Sequence, residues 1–408
     1  MKPSSTKPFL SRYRWIILAV VWICYVAFGL NMKAIAPLVT PILTDLNMSN
    51  SEMGFVLGSW QLVYIPVSII AGIVIDRWGI RRSLFIGTLV MALSAGLRYF
   101  ATGFGTLLPV VALFGIGGPL ISIGAPKAIS VWFKDKARGV AVGIYTTAPW
   151  TGALFATAAT NSLVMPLTDY SWRLTFVCYG IFTLVLAVIW FLFARDVRES
   201  DESAKISIRE VFIRLVTIRN VRILLLAGLL TLLMDHGFSH WLPRMLETRG
   251  YTPETAGFMA SIPLVTAIPS VLLVPGFTPR HLRGRCLALL GLLTATSYSI
   301  IHFTSSWMLI GGLILCGITL PSLLPMLMLI MMDEPGVGPE NMGLASGVFF
   351  CIAQIGGFTG PLLMGAMVDI TGSFLSGVMF LTGIGVILCA AAFFLKESRA
   401  DQILSSQR

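Results

Sequence analysis

GIVIDRWGIRRSL, residues 72–84, is a tight charged turn with an apolar run on each side. Gly72, Asp76, Arg77, Gly79, Arg81 and Arg82 stand in it at fixed intervals. Two apolar helices joined by so short a basic turn fit a membrane protein, where such a turn marks a cytoplasmic hinge. The rest of the chain agrees with this reading. Of 408 residues, 56% are hydrophobic and 12% charged, whereas soluble domains carry about 25% charged residues. A bilayer-spanning helix needs about 20 mainly apolar residues. Twelve such windows can be read: 15–39, 52–75, 83–102, 105–131, 139–163, 173–194, 221–246, 255–277, 285–303, 306–332, 343–368 and 375–395. Backbone groups in lipid must pair within their own segment, so each window is expected to be a helix.

The net charge of +10 would suit a nucleic-acid partner if it were spread over one face, but it is confined to alternate loops. Lys and Arg gather in the first fourteen residues, around Arg77–Arg82, at Lys134–Arg138, between Arg195 and Arg222, at Arg280–Arg285 and in the C-terminal tail. The opposite loops hold Arg173, Arg244 and Arg249. This positive-inside bias places both termini in the cytoplasm and excludes nucleic acid as a partner. The first apolar run is long and is followed by no small-residue cleavage site, so it reads as a helix and not as a cleaved leader. The six cysteines fall in or at the ends of apolar windows without a C-x-x-C pair, as small core residues do.

The chain also repeats itself. At an offset of about 203 residues, SEMGFVLGS lies over ETAGFMASI, and Arg77 and Arg82 lie over Arg280 and Arg285. One residue further, GVAVGIYTTAPWTGA lies over GLASGVFFCIAQIGG, pairing Trp150 with Gln354 and Gly152 with Gly356. The expected architecture is all-α: two pseudo-symmetric six-helix bundles, 1–194 and 221–408, joined by a polar stretch, 195–220. Ile208, Val211, Phe212 and Leu215 give that stretch an amphipathic helical pattern, suited to the cytoplasmic face. Glycines crowd helices 5 and 11, where they serve close packing or bending.

The turn at 72–84 resembles the G-x-x-x-D-R-x-G-x-[RK]-[RK] signature between helices 2 and 3 of major facilitator superfamily transporters, and WFKDKARGVAVG resembles their helix 4–5 connection. The second copy of the turn, PGFTPRHLRGR, is degraded: Pro279 replaces the acid and Leu282 the glycine. The resemblance implies twelve helices and a solute site near the bilayer midplane, reached alternately from each side as the halves rock. Helix 4 is similar to that of the superfamily's anion:cation symporters, with Lys127 five positions before Trp132–Phe133. Those transporters also carry a base near Lys33, and at both positions they use Arg. Residues 333–365 resemble the helix 10–11 region of cyanate- and nitroimidazole-type permeases.

Ionisable groups inside a bilayer cost about 3 kcal/mol or more unless paired or wet, so each is a candidate. Lys33 reads as an anion anchor or as the structural partner of Asp235. Lys127 reads as a second anion ligand or as a lysine that snorkels to the headgroups. Asp235, His236 and His240 form a cluster in helix 7 that suits proton coupling, with His236 aligned on Lys33 in the repeat; the alternative is a polar cluster that only holds helices together. The i, i+4 histidines have metal-ligand spacing but no third ligand, so no metal is expected. Gln61, Tyr64, Tyr145, Trp150 and Gln354, with His236 in a second role, complete the candidate substrate site. Arg98 reads as an interfacial anchor, and Arg244 is similar.

Two lysines amid few acids make an electropositive pocket that draws anions. The expected function is secondary active transport of a small organic or inorganic anion by proton symport. The expected setting is a monomer in the bacterial inner membrane. The alternative is a drug or metabolite exporter by proton antiport. No nucleophile elbow, H-E-x-x-H or P-loop occurs, so neither an enzyme nor a cofactor is expected.

Overall fold

The computed structural model describes residues 7–195, 215–334 and 337–395. Among these residues there are twelve helices of at least 18 residues and no strands. They are α1 Lys7–Lys33, α2 Asn50–Trp78, α3 Ile80–Leu97, α4 Phe104–Trp132, α5 Asp135–Ala159, α6 Trp172–Phe193, α7 Arg219–Ser239, α8 Pro253–Phe277, α9 Arg283–Phe303, α10 Ser306–Asp333, α11 Gly338–Thr371 and α12 Phe374–Phe393. Eleven are long and apolar enough to cross a membrane. The remaining one, α5, is 25 residues long and carries the polar and aromatic run Tyr145–Thr151. The amphipathic pattern at 195–220 falls largely outside the described residues; of its apolar positions only Leu215 is described, and it is buried.

By internal packing the described chain forms two units, 7–47 with 62–195 and 48–61 with 215–395. The sequence repeat counts residues 48–61 with the first half, whereas packing counts them with the second. The reason is glycine: a Cβ on Gly54 would lie 2.4 Å from the Pro361 carbonyl oxygen, and one on Gly58 2.6 Å from that of Phe358. The first turns of α2 therefore lie directly on the backbone of α11. Asp369 of α11 completes the contact by accepting from the backbone N–H of Asn50 (3.0 Å) and of Ser51 (2.7 Å). A carboxylate suits those orphan donors at a helix start.

In the first unit α1 packs on α5 by the same device. A Cβ on Gly29 would meet the Pro149 carbonyl oxygen at 2.0 Å, and one on Gly152 that of Val26 at 2.0 Å. In the second unit α7 packs on α11: Gly356 faces the Leu229 carbonyl oxygen (1.9 Å) and Gly360 that of Leu233 (2.3 Å). Gly152 and Gly356 are partners in the sequence repeat, so the two copies use one packing rule.

The turn at 72–84 takes the form its residues require. Gly79 caps α3 with φ 82° and ψ 163°, a backbone region essentially reserved for glycine, which costs another residue about 1–3 kcal/mol. Arg81 donates to the Phe191 carbonyl oxygen of α6 from Nε (3.0 Å) and Nη2 (2.7 Å), and Trp190 donates back to the Arg81 carbonyl (2.9 Å). Asp76 forms an ion pair with Lys127 of α4. The second copy keeps the link and reverses its sign: Arg280 (3.2 Å) and Arg283 pair with Asp333 at the end of α10.

Candidate functional site

The first window was read as continuous to residue 39, but α1 ends at Lys33. Pro37 is the cause, because its ring clashes with the carbonyl four residues earlier, that of Lys33 itself. The chain continues as a 3-10 turn, Ala36–Leu38, and a short helix, Val39–Leu46. Lys33 is therefore the terminal residue of a broken helix, where the dipole favours a cation. Its side chain is 6% exposed.

In the same unit, tyrosines from three helices meet. Tyr25 of α1 stacks on Tyr145 of α5 with centroids 6.3 Å apart and packs on Phe28 at 5.4 Å. Phe28 and Tyr64 of α2 both flank Gly118 of α4, where a Cβ would lie 3.2 Å from Phe28 and 3.4 Å from Tyr64, and the Tyr64 hydroxyl shares a 2.7 Å hydrogen bond with that of Ser122 on α4. Trp150 is half-buried on α5. Tyr25 escapes a reading of the sequence, since an aromatic residue in an apolar helix is more often packing; its signal is the run Tyr25–Val–Ala–Phe28 about two turns before Lys33. Lys127 is part-exposed, with 32% of its side-chain surface accessible, and its ammonium is matched by Asp76. The sequence reading offered cavity or headgroups for this lysine, and the structure joins it to the turn at 72–84 instead.

The second unit gathers the helix 7 cluster. His236 is 7% exposed and His240 1% exposed, with ring centroids 5.3 Å apart. Asp235 Oδ2 lies 3.9 Å from His236 Nε2. Gln61 of α2, fully buried, brings its Nε2 to 2.6 Å from His236 Nδ1 and donates to the Gly357 carbonyl oxygen of α11 (3.3 Å). Trp60 lies beside the imidazole with a centroid distance of 6.0 Å. Gln354 is next to Gly357, where a Cβ would stand 3.0 Å from Gln354 Oε1. Among the described residues, no group of three or more metal-ligating side chains comes together.

Arg98 is a correction. It was read as an interfacial anchor, yet it is 1% exposed. Its guanidinium stacks on Phe176 (4.6 Å), Nη2 reaches Ser94 Oγ at 3.5 Å, and Nε and Nη1 have no hydrogen-bond partner among the described residues. Arg244 lies in the short helix Leu242–Glu247 between α7 and α8. Burial holds its guanidinium below the ordinary arginine value, with Glu247 and Asp369 opposing.

Twelve long helices, eleven of them long and apolar enough to cross a membrane, an internal sequence repeat and the glycine-capped basic turn between α2 and α3 are the features of a membrane transporter. The sequence profile of the Major Facilitator Superfamily matches residues 21–361, and the chain belongs to that superfamily. The chain is 26% identical over 365 residues to a hexuronate transporter of Bacillus subtilis (strain 168), covering 83% of this chain and 84% of that protein. It is 24% identical to a D-galactonate transporter of Escherichia coli O6:H1, covering 94% and 95%. Its fold is similar to that of the inward open xylose transporter XylE from E. coli, with a TM-score of 0.73 at 16% identity over 95% of this chain and 97% of that one.

Proposed function

We propose that this protein is a secondary transporter of a small organic anion of the sugar-acid type, coupled to protons and working by alternating access. The observation that carries the reading is Lys33: a nearly fully buried ammonium at a proline break in a membrane helix. Such a charge persists in a bilayer when it has work to do. A carboxylate is the ligand that a compact point charge attracts. The hydroxyls of Tyr25, Tyr64 and Tyr145, with Trp150, supply hydrogen bonds and flat apolar faces for a polyhydroxy chain. Lys127 serves the same anion only if its pair with Asp76 opens. Asp235, His236 and His240 are the proton-carrying groups, with Gln354 beside them. The relatives that move hexuronate and galactonate support the substrate class.

The remaining assignments follow the sequence: a monomer in the bacterial inner membrane, with both termini in the cytoplasm.

The test is uptake of radiolabelled hexuronates and aldonates into proteoliposomes. Uptake is expected to rise with an inward proton gradient. Lys33→Ala is expected to lower it at least ~100-fold, the scale of a lost charge-assisted contact of about 3 kcal/mol, with no loss of helical content. No uptake across a panel of sugar acids and other carboxylates would overturn the reading; normal uptake by Lys33→Ala would return that lysine to a structural role.

A further inference from the structure

We infer that Gln61 is a positioning residue that locks His236 in a single tautomer while the first turns of α2 are seated on α11. The inference rests on the reading of the helix 7 cluster as the proton-carrying groups. The Gln61 amide is oriented by α11: the nitrogen, and not the oxygen, lies 3.3 Å from the Gly357 carbonyl oxygen. A flipped amide would set oxygen against oxygen there. Its second N–H then points at His236 Nδ1, 2.6 Å away. That nitrogen must accept, so the hydrogen of the neutral ring sits on Nε2, the atom facing Asp235.

The lock has a consequence for proton uptake. An imidazolium carries a hydrogen on both nitrogens, and its Nδ1–H would meet the Gln61 N–H head on. Relief requires the amide to turn its oxygen to the ring, and its nitrogen then leaves the Gly357 carbonyl. Protonation of His236 therefore removes one of the bonds that tie α2 to α11. By reciprocity, seating of residues 48–61 opposes protonation.

The neighbours allow this. From α7 itself the facing titratable groups are Asp235 and His240. From α9, Tyr298 donates to the Met234 carbonyl (3.1 Å) of α7. From α2 and α11 come Trp60, Gln61, Gln354 and the Gly357 carbonyl, which carry no charge. A Cβ on Gly357 would approach Gln354 Oε1 tightly, at 3.0 Å, and stand in ordinary contact with Gln61 Nε2, at 3.5 Å.

The experiment is nitrogen NMR of the full chain in lipid nanodiscs with its four histidines labelled, the His236 signals being those lost in His236→Gln. In alkaline buffer the wild-type ring is expected as the Nε2–H form. Gln61→Glu, whose carboxylate can only accept, is expected to invert it to Nδ1–H. Gln61→Leu is expected to give a mixture. One tautomer unchanged across all three proteins, or Nδ1–H in the wild type, overturns the inference. If Gln61→Leu does not fold, the near-isosteric Gln61→Glu decides alone. Proton-driven uptake by His236→Gln separates the two claims: if it persists while the tautomers respond as stated, proton coupling through His236 fails and the lock stands. If it is lost while the tautomers do not respond, the lock fails and the coupling stands.

Discussion

Arg98 shows how a single buried charge can be weighed. Its guanidinium gains a stacked contact with Phe176 and one long hydrogen bond to Ser94. Against this stands the cost of removing a cation from water, several kcal/mol even after relaxation. A cation–π contact returns about 2 kcal/mol when desolvated. The balance is unfavourable, so Arg98→Met, which keeps the length and the apolar stem, is expected to leave the thermal unfolding midpoint unchanged or raised. A lower midpoint would mean that the guanidinium holds more than these two contacts. Lys33 is the contrasting case. It too is buried, but it stands at a helix C-terminus whose dipole favours it, and the proposed cargo makes use of its charge. Sequence reading singled out both residues, since any charge in an apolar window stands out. It misjudged Arg98 because burial at the end of a helix depends on what packs beside it, here Phe176 from 78 positions away.

The helix pairs that hold each unit together are written in glycine, but only some of those glycines do this work. On α11, Gly356 lies 1.9 Å in Cβ terms from the Leu229 carbonyl oxygen, whereas Gly347 has nothing within 4 Å. The same substitution should therefore have opposite signs. Gly347→Ala removes backbone freedom from the unfolded chain and is expected to stabilise by about 0.5–1 kcal/mol. Gly356→Ala drives a methyl into a carbonyl and is expected to destabilise by about 1–3 kcal/mol or more. Thermal unfolding of the two purified variants checks the contrast, and two shifts of the same sign would refute it. The twelve helices and their near-boundaries were legible because apolar length is a local property. The duplication was legible because Gly152 and Gly356 recur at one offset. The break of α1 at Lys33 was within reach, since Pro37 was in view; the window method averages across such a residue. What was not legible was which helix a side chain reaches. Lys127 meets Asp76 across 51 positions, Gln61 meets His236 across 175, and Asn50 meets Asp369 across 319. Each partner was visible as a polar residue in an apolar setting, and no local signal joined them.

The duplicated chain uses one plan twice with different chemistry. The hinge of the first copy offers an acid, Asp76, to a base on α4; the hinge of the second offers a base, Arg280, to an acid on α10. Of the helix-packing glycines Gly152 recurs as Gly356, while Lys33 in one copy gives way to His236 in the other. One close backbone contact, at Gly152 and Gly356, thus recurs in both copies while the polar groups diverge. The basic loops follow the same alternation along the chain, and this yields the last prediction. Arg77, Arg81 and Arg82 follow α2, Lys134 and Arg138 follow α4, and Arg280, Arg283 and Arg285 follow α8, while Arg173, Arg244 and Arg249 lie in the alternate connections. A bias of that size in short loops orients every helix together, because flipping one hairpin alone would strand its neighbours. Fusions of a fluorescent protein that matures only in the cytosol, placed after Trp78 and at the C-terminus, are therefore expected to fluoresce. Fusions after Phe100 are expected to be dark and to activate a periplasmic phosphatase instead. The reverse pattern would turn the whole bundle over, termini included.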